Sequence, residues 1–252
     1  MDLQELASAV MREEGRSATP FGLYVIPASD PRSELGRHVE RAVFGEFFGE
    51  TEEFLREEYD EYEPGSVFLV VLDHPRRLPA GVVRLIVDSP AGFKSLNDLE
   101  RIWGEDIDAV LARSGLDVDP STIWDVATIA VMPEYRKSST NGLISLALVQ
   151  GVITLAAKSG VELGLAVFDL VALDLIQAVC GRAWQTFAGL EPKGYLGSPS
   201  SIACYCDMQE FGPRLAFTDP DLYEMLWLGR GLEAGVSAPE WEADSGRVRA
   251  AS

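Results

Sequence analysis

The sequence has only two histidines, His38 and His74, and three cysteines, Cys180, Cys204 and Cys206. They form no cluster at metal-ligand spacing, so no structural zinc or other metal is expected. A serine–histidine–acid triad would have to use one of these two histidines, and no G-x-S-x-G elbow accompanies them. An odd cysteine count without framework spacing excludes a disulfide scaffold and points to reduced thiols in a cytoplasmic setting. Long apolar runs are missing too. No stretch approaches the roughly 18 residues of a membrane helix. The first twenty residues carry Asp2 and Glu5 and no apolar centre, so they do not read as a signal peptide. Positive charge is scarce: 21 Lys+Arg face 40 Asp+Glu, a formal net charge of -19. Such a surface repels phosphate backbones and anionic lipid, so neither nucleic acid nor a membrane is an expected partner. An anionic ligand would need a local basic patch.

What is present reads as an ordinary globular chain of 252 residues, 47% hydrophobic, long enough to bury a core without staples. A single domain is expected over 20–231, after an N-terminal arm at 1–19 (a helix or a loose segment) and before a flexible tail at 232–252. Strands are predicted at 20–27, 66–73, 80–90, 122–133, 161–169 and 200–211. The apolar spacing of Leu35, Val39, Val43, Phe44 and Phe47 predicts a helix from Ser33. An acidic helix or ordered loop follows, ending at Pro64-Gly65. Short helices are expected at 96–103 and 107–112. Residues 141–160 are apolar almost all round and read as a buried helix, and 170–181 as another that ends on Gly181. The order is an antiparallel hairpin followed by strand, loop, helix and strand. It implies an α/β (α+β) domain with a mixed sheet and helices on both faces.

Two stretches carry a resemblance to a known family. Strand Ile129-Ala130-Val131-Met132-Pro133, then Glu134-Tyr135-Arg136 and a long helix, resembles the acyl-donor signature of the GNAT acyltransferases. There a strand, a turn and a helix N-terminus cradle the donor's pantetheine and pyrophosphate. Free N–H groups and the positive end of the helix dipole favour phosphate at such a place. Arg136, Lys137, Ser139, Asn141 and Gly142 fall on the family's Arg/Gln-x-x-Gly-x-Gly/Ala loop, with Ser139 and Asn141 where glycine or alanine is usual. The other reading of this loop is an ordinary Ser/Thr/Asn helix cap. Residues 35–170 resemble more particularly the acyl-homoserine-lactone synthases and N-acyl amino acid synthases. Gly81-Val82-Val83-Arg84-Leu85 matches their Gly-x-x-Arg-Leu residue for residue. Asp60 and Glu63 stand at their Asp-x-x-Asp, Arg41 and Val43-Phe44 approximate the first-helix pattern, and Asp125 to Val131 follows their central strand in outline. Ala127 and Thr128 replace the Ser-Arg of that strand. The resemblance implies a GNAT-type, mostly antiparallel mixed sheet. It also implies an acyl-CoA or acyl carrier protein as donor, with no permanently bound cofactor, and a small amine as acceptor. A carrier protein needs no full glycine-rich loop, since only pantetheine enters the groove. A medium or long acyl chain is favoured over acetyl.

The residues can be weighed for that chemistry. Asp125, among aliphatics beside Trp124, reads as a base acting through water or as the partner of Arg84 across the sheet. Arg84 sits in an apolar strand and must be paired, with Asp60, Glu63 and Asp125 within reach by topology. The same cluster would hold a zwitterionic acceptor with the acids on its amine. Backbone N–H groups around Ile129, Ala130 and Val131 would polarise the thioester carbonyl, as the resemblance implies. The helix in which many GNAT enzymes place a tyrosine acid offers Cys180 or Gly181 instead. A buried helix cysteine is more often packing than nucleophile. The pairs Arg136-Lys137 and Arg76-Arg77 could receive an acidic partner or CoA phosphates, or be solvated charge. Phe44, Phe47, Phe48, Phe54 and Trp103 could line an acyl tunnel or fill the core. Two rival functions stay open: a CoA-dependent N-acetyltransferase, and a catalytically silent binding module.

Overall fold

The structure, a computed structural model, describes residues 2–15, 18–117, 119–136 and 140–238. Strands β1 (Phe21–Pro27), β2 (Ser66–Asp73), β3 (Leu78–Ile86), β4 (Ile123–Val131), β5 (Leu163–Asp169), β6 (Gln185–Thr186), β7 (Lys193–Tyr195), β8 (Ser198–Asp207) and β9 (Val236–Ser237) form one sheet. Its order is β6-β8-β5-β4-β3-β2-β1-β9, with β7 also on β8. The pairs β4–β5 and β1–β9 are parallel and the rest antiparallel. The helices are α1 (Leu3–Glu14), α2 (Glu34–Phe48), α3 (Glu52–Tyr59), α4 (Lys94–Asp98), α5 (Ile107–Arg113), α6 (Leu143–Lys158), α7 (Leu170–Val179), α8 (Met208–Thr218) and α9 (Pro220–Leu226).

Both faces of the central strands are covered, which is why they read as continuous apolar runs. In β2, Val67, Leu69 and Val71 join the core under α6, while Phe68, Val70 and Leu72 join the core under α1 and α2. Two glycines set the closest approaches. A Cβ at Gly81 of β3 would stand 2.9 Å from Ile144 of α6, and one at Gly36 of α2 would stand 2.6 Å from the Phe68 ring. The second contact presses α2 onto the sheet and fixes what its next turn can reach.

Several boundaries differ from expectation. β3 ends at Ile86 rather than near Pro90. The strand expected to reach Phe211 gives way at Met208 to α8, capped by Asp207, whose carboxylate accepts from the Glu210 N–H. The N-terminal segment is a docked helix, with Leu6, Ala7 and Val10 buried. Within the expected tail, Val236–Ser237 pairs with β1, and 239–252 lies outside the described residues. The short strands β6, β7 and β9 and helices α8 and α9 are additions to the sequence reading.

What positions the site is a split in the sheet. β4 and β5 pair only at Ile123–Leu163, Trp124–Gly164 and Asp125–Leu165. Beyond that point β4 stays with β3, and β5 stays with β8 along all of Leu163–Asp169. β4 carries an extra residue, Ala127, between its pairings with Leu85 and Arg84. A bulge of this kind bends and twists the strand that bears it, and here it turns β4 away from β5.

Candidate active site at the split of the sheet

Two pockets adjoin on the α2–α3 face. The first, of about 270 Å³, lies between α2, α3 and β3 and is almost entirely charged. Arg84 is its floor. The guanidinium is buried, at 3% exposure. It grips Glu40 with a two-bond fork, Nε to Oε1 at 3.0 Å and Nη2 to Oε2 at 2.7 Å, and reaches Glu63 Oε2 from Nη1 at 2.6 Å. The rings of Tyr59 and Phe68 flank it at 4.5 and 4.6 Å. Burial works against its charge, but Glu40 and Glu63 more than offset this and hold the guanidinium above its ordinary value. Thr128 donates to Glu40 and Arg37 to Glu63, so both acids are fully engaged. Arg41 pairs with Glu34. Asp60 and Arg56, which also line the pocket, have no ion-pair partner among the described residues.

The second pocket, of about 120 Å³, fills the gap between β4 and β5. Val126, Ile129 and Phe168 line it and also line a small apolar void of about 30 Å³ on the α6 face. An adjoining void of about 30 Å³ shares Val126, Val152, Ile153 and Trp184. The gap and the first of these voids thus lie on opposite sides of the same side chains, Val126, Ile129 and Phe168. Met132 N–H donates to Ala80 on β3. Alternation along an antiparallel ladder then turns the N–H groups of Ile129 and Val131 toward the gap and that of Ala130 toward β3. Tyr59 lines both pockets, its hydroxyl donating to Ala127 O at 3.4 Å.

Of the sequence candidates, Arg84, Asp60 and Glu63 come together in the charged pocket, and Ile129 borders the gap. Asp125 does not join them. Its carboxylate accepts from Ser95 N–H and Oγ, each at 2.7 Å, and lines neither pocket. Burial pushes it up to about 6, against the Ser95 bonds that lower it. The expected Arg84–Asp125 pair is replaced by Arg84–Glu40, because the bulge sets Arg84 against Thr128 and Asp125 against Ile86. Arg136 folds back: its Nε donates to Val131 O at 2.6 Å and its guanidinium stacks on Phe47 at 4.3 Å. Asn141 and Gly142 lead into α6 with positive φ, 50° and 77°, and no side chain caps that helix. Lys137 and Ser139 lie outside the described residues. Phe44 and Phe48 line the gap, Phe47 and Phe54 are exposed, and Trp103 is core. Arg76 bonds the Tyr135 hydroxyl, which in turn donates to Asp73. Cys180 is packing: its thiol donates to Ile176 O, and burial pushes it up to about 12.

Sequence reasoning missed Arg56, one charge in an acidic helix, and three further residues. Glu40 had a signal, a charge on the buried face shared by Gly36, Val39 and Val43. Tyr59 had none beyond its position. Tyr195 reaches the gap from β7, and its hydroxyl accepts from Lys94 Nζ at 2.8 Å and donates to Asp98 at 2.6 Å. Burial holds that hydroxyl well above its ordinary value. Among the described residues no group of three or more His, Cys, Asp and Glu could hold a metal, and no helix is long and apolar enough to cross a membrane.

No protein-family model and no curated protein matches the chain. Solved structures do. The structure of a CoA-dependent acyl-homoserine lactone synthase, BjaI, with SAM and isopentyl-CoA, aligns with a TM-score of 0.56 at 17% identity, over 87% of this chain and 93% of that one. FeeM, an N-acyl amino acid synthase from uncultured soil microbes, aligns with a TM-score of 0.55 at 14% identity, over 81% of this chain and 99% of that one. The fold is that of the GNAT acyltransferases.

Proposed function

We propose that this GNAT-fold chain is an N-acyltransferase, moving an acyl group from a pantetheine thioester to the amine of a small polar acceptor. The observation that carries the reading is the meeting, at Tyr59, of a charged pocket and a mostly apolar gap between β4 and β5. The thioester lies in the gap, its carbonyl oxygen toward the N–H groups of Ile129 and Val131, which favour the negative charge that develops there. The acyl chain enters the voids on the α6 side. They have room for a short chain before Trp184 and Phe168 must move. The acceptor sits in the charged pocket. Asp60 and Arg56, the charges not already paired, suit the amine and the acid group of a zwitterion.

Attack is direct. The nitrogen lone pair forms the N–C bond, the C–S bond breaks toward sulfur, and the leaving thiolate takes a proton. Tyr195, which borders the gap, is the donor in this reading: its hydroxyl, held on Asp98 in the free protein, turns to the sulfur. The donor is acyl-CoA or an acyl carrier protein, in the cytoplasm. A short-chain, CoA-dependent N-acetyltransferase is the second reading, favoured by the small size of the voids.

The test is incubation with acyl-CoAs of graded length, and with a carrier protein bearing the same acyls, in the presence of amino acids and simple amines. Released thiol and acyl-amide would both be measured. Stoichiometric thiol and amide support the reading. Thioester that remains intact with every acceptor would refute it.

A further inference from the structure

A hairpin turn spans the gap between β4 and β5 on its α2 side. β7 and β8 pair at Tyr195–Ser198, which leaves Leu196 and Gly197 as the turn residues. One flank of the turn is tied to the β5 side: Ser198 Oγ donates to Asp169 Oδ2 at 2.6 Å, and the same carboxylate caps α7. The other flank meets α2. A Cβ at Gly197 would stand 2.7 Å from Phe48 Cβ and 3.0 Å from Phe48 O, so the backbone of the turn lies directly on the end of that helix. Leu196 and Phe48 both line the gap.

Leucine does not suit this backbone. Leu196 and Gly197 have φ 42° and 71°. Positive φ at both central positions makes a type I′ turn, which favours asparagine or aspartate before the glycine. A bulky side chain at positive φ is a genuine outlier. The other described non-glycine residues with positive φ are Arg77, Asn141 and Arg182, and Leu196 is the one apolar residue of the set. A hairpin tip is ordinarily polar and solvated, yet this leucine is half-buried over the gap. Strain of this kind persists where a site uses it.

The chemistry supplies a use. A thioester held in the gap must wait for its acceptor, and water can take the acceptor's place. Water oxygen would form a C–O bond as the C–S bond breaks, with one of its protons passing to sulfur, and acid would form instead of amide. Keeping water from the reacting carbon prevents that side reaction. The polar residues on either side of Leu196, Tyr195 and Ser198, would admit water, whereas an apolar body excludes it. Resting on the acyltransferase reading, we infer that Leu196 is the cover that shields the bound thioester from hydrolysis.

The test compares wild type, Leu196→Asn and Leu196→Met on a thioester of the graded series that wild type accepts, with thiol, amide and free acid measured together. Asparagine suits a φ of 42°, so Leu196→Asn should keep the turn and unfold at no lower temperature than wild type. Wild type should release thiol and amide in equal amounts. Leu196→Asn should release severalfold more thiol than amide, the excess matched by free acid, and should release thiol even without an acceptor. Leu196→Met, which restores the apolar body, should return to parity. A leucine that only held the turn would move the melting temperature and leave the ratio alone. No excess of thiol over amide in Leu196→Asn, or the same excess in Leu196→Met, would overturn the inference while the acyltransferase reading stands. If wild type forms amide from no thioester, both fall together.

Discussion

Among the described residues two buried ion clusters stand out, one built on Arg84 and one on Lys94, and they differ in what they face. Arg84, Glu40 and Glu63 form the floor of an open pocket. Lys94, 2% exposed, is enclosed by Glu58, Asp98 and Tyr195, and Arg101 closes the outer side by pairing with both acids. Only Tyr195 carries that second cluster to the gap. A buried charge is costly wherever it lies, so burial alone does not tell a binding group from a brace. Access does. Asp125 belongs with the second cluster: it ties α4 to β4 through Ser95 and sees no pocket.

Removing each cation in turn separates the two clusters. Arg84→Met strands Glu40 in the core and should lower stability by about 3–5 kcal/mol in urea denaturation. Arg84→Met with Glu40→Leu should recover most of that loss but not acceptor binding. Equal acceptor binding by this double variant would remove the pocket from the account. Lys94→Met should cost less, about 2 kcal/mol, because Arg101 still serves Glu58 and Asp98. Thioester binding should survive it.

Arg56→Ala, on the open side, should leave stability unchanged and raise the acceptor KM about tenfold, as expected for one lost charge-assisted bond. An unchanged KM would place the acceptor's acid group elsewhere. The smallest effect belongs to Asp125→Asn. Asparagine can keep both contacts with Ser95, so turnover should persist. Asp125 is held in the fold at about 6, above its ordinary 3.8, so the native state binds the extra proton between those values. Wild-type stability should therefore fall as pH rises from 3.8 to about 6, and the variant should lack that slope. Abolished turnover in Asp125→Asn would instead return Asp125 to the site.

Much of the fold was legible because its signals are local. The β2–β3 hairpin, the buried α6 and Arg84's need of a partner follow from apolar runs and one misplaced charge. The identity of that partner did not follow, since a one-residue bulge at Ala127, which has no compositional mark, decides which side chains share a face. Glu40 was readable in principle, four residues after Gly36 on the face that packs on Phe68. Tyr195 was not. It sits on a three-residue strand in a tight, irregular hairpin with β8, and only the long-range pairing of β8 with β5 brings that hairpin to the gap.

The gap between β4 and β5 is, on the proposed function, the seat of the thioester. Hydrogen exchange resolved at single amides, with and without a non-hydrolysable acyl-CoA, tests this most directly. The amides of Ile129 and Val131 should slow on binding, while that of Ala130, already facing β3, should change little. Binding that leaves Ile129 and Val131 unprotected would contradict it.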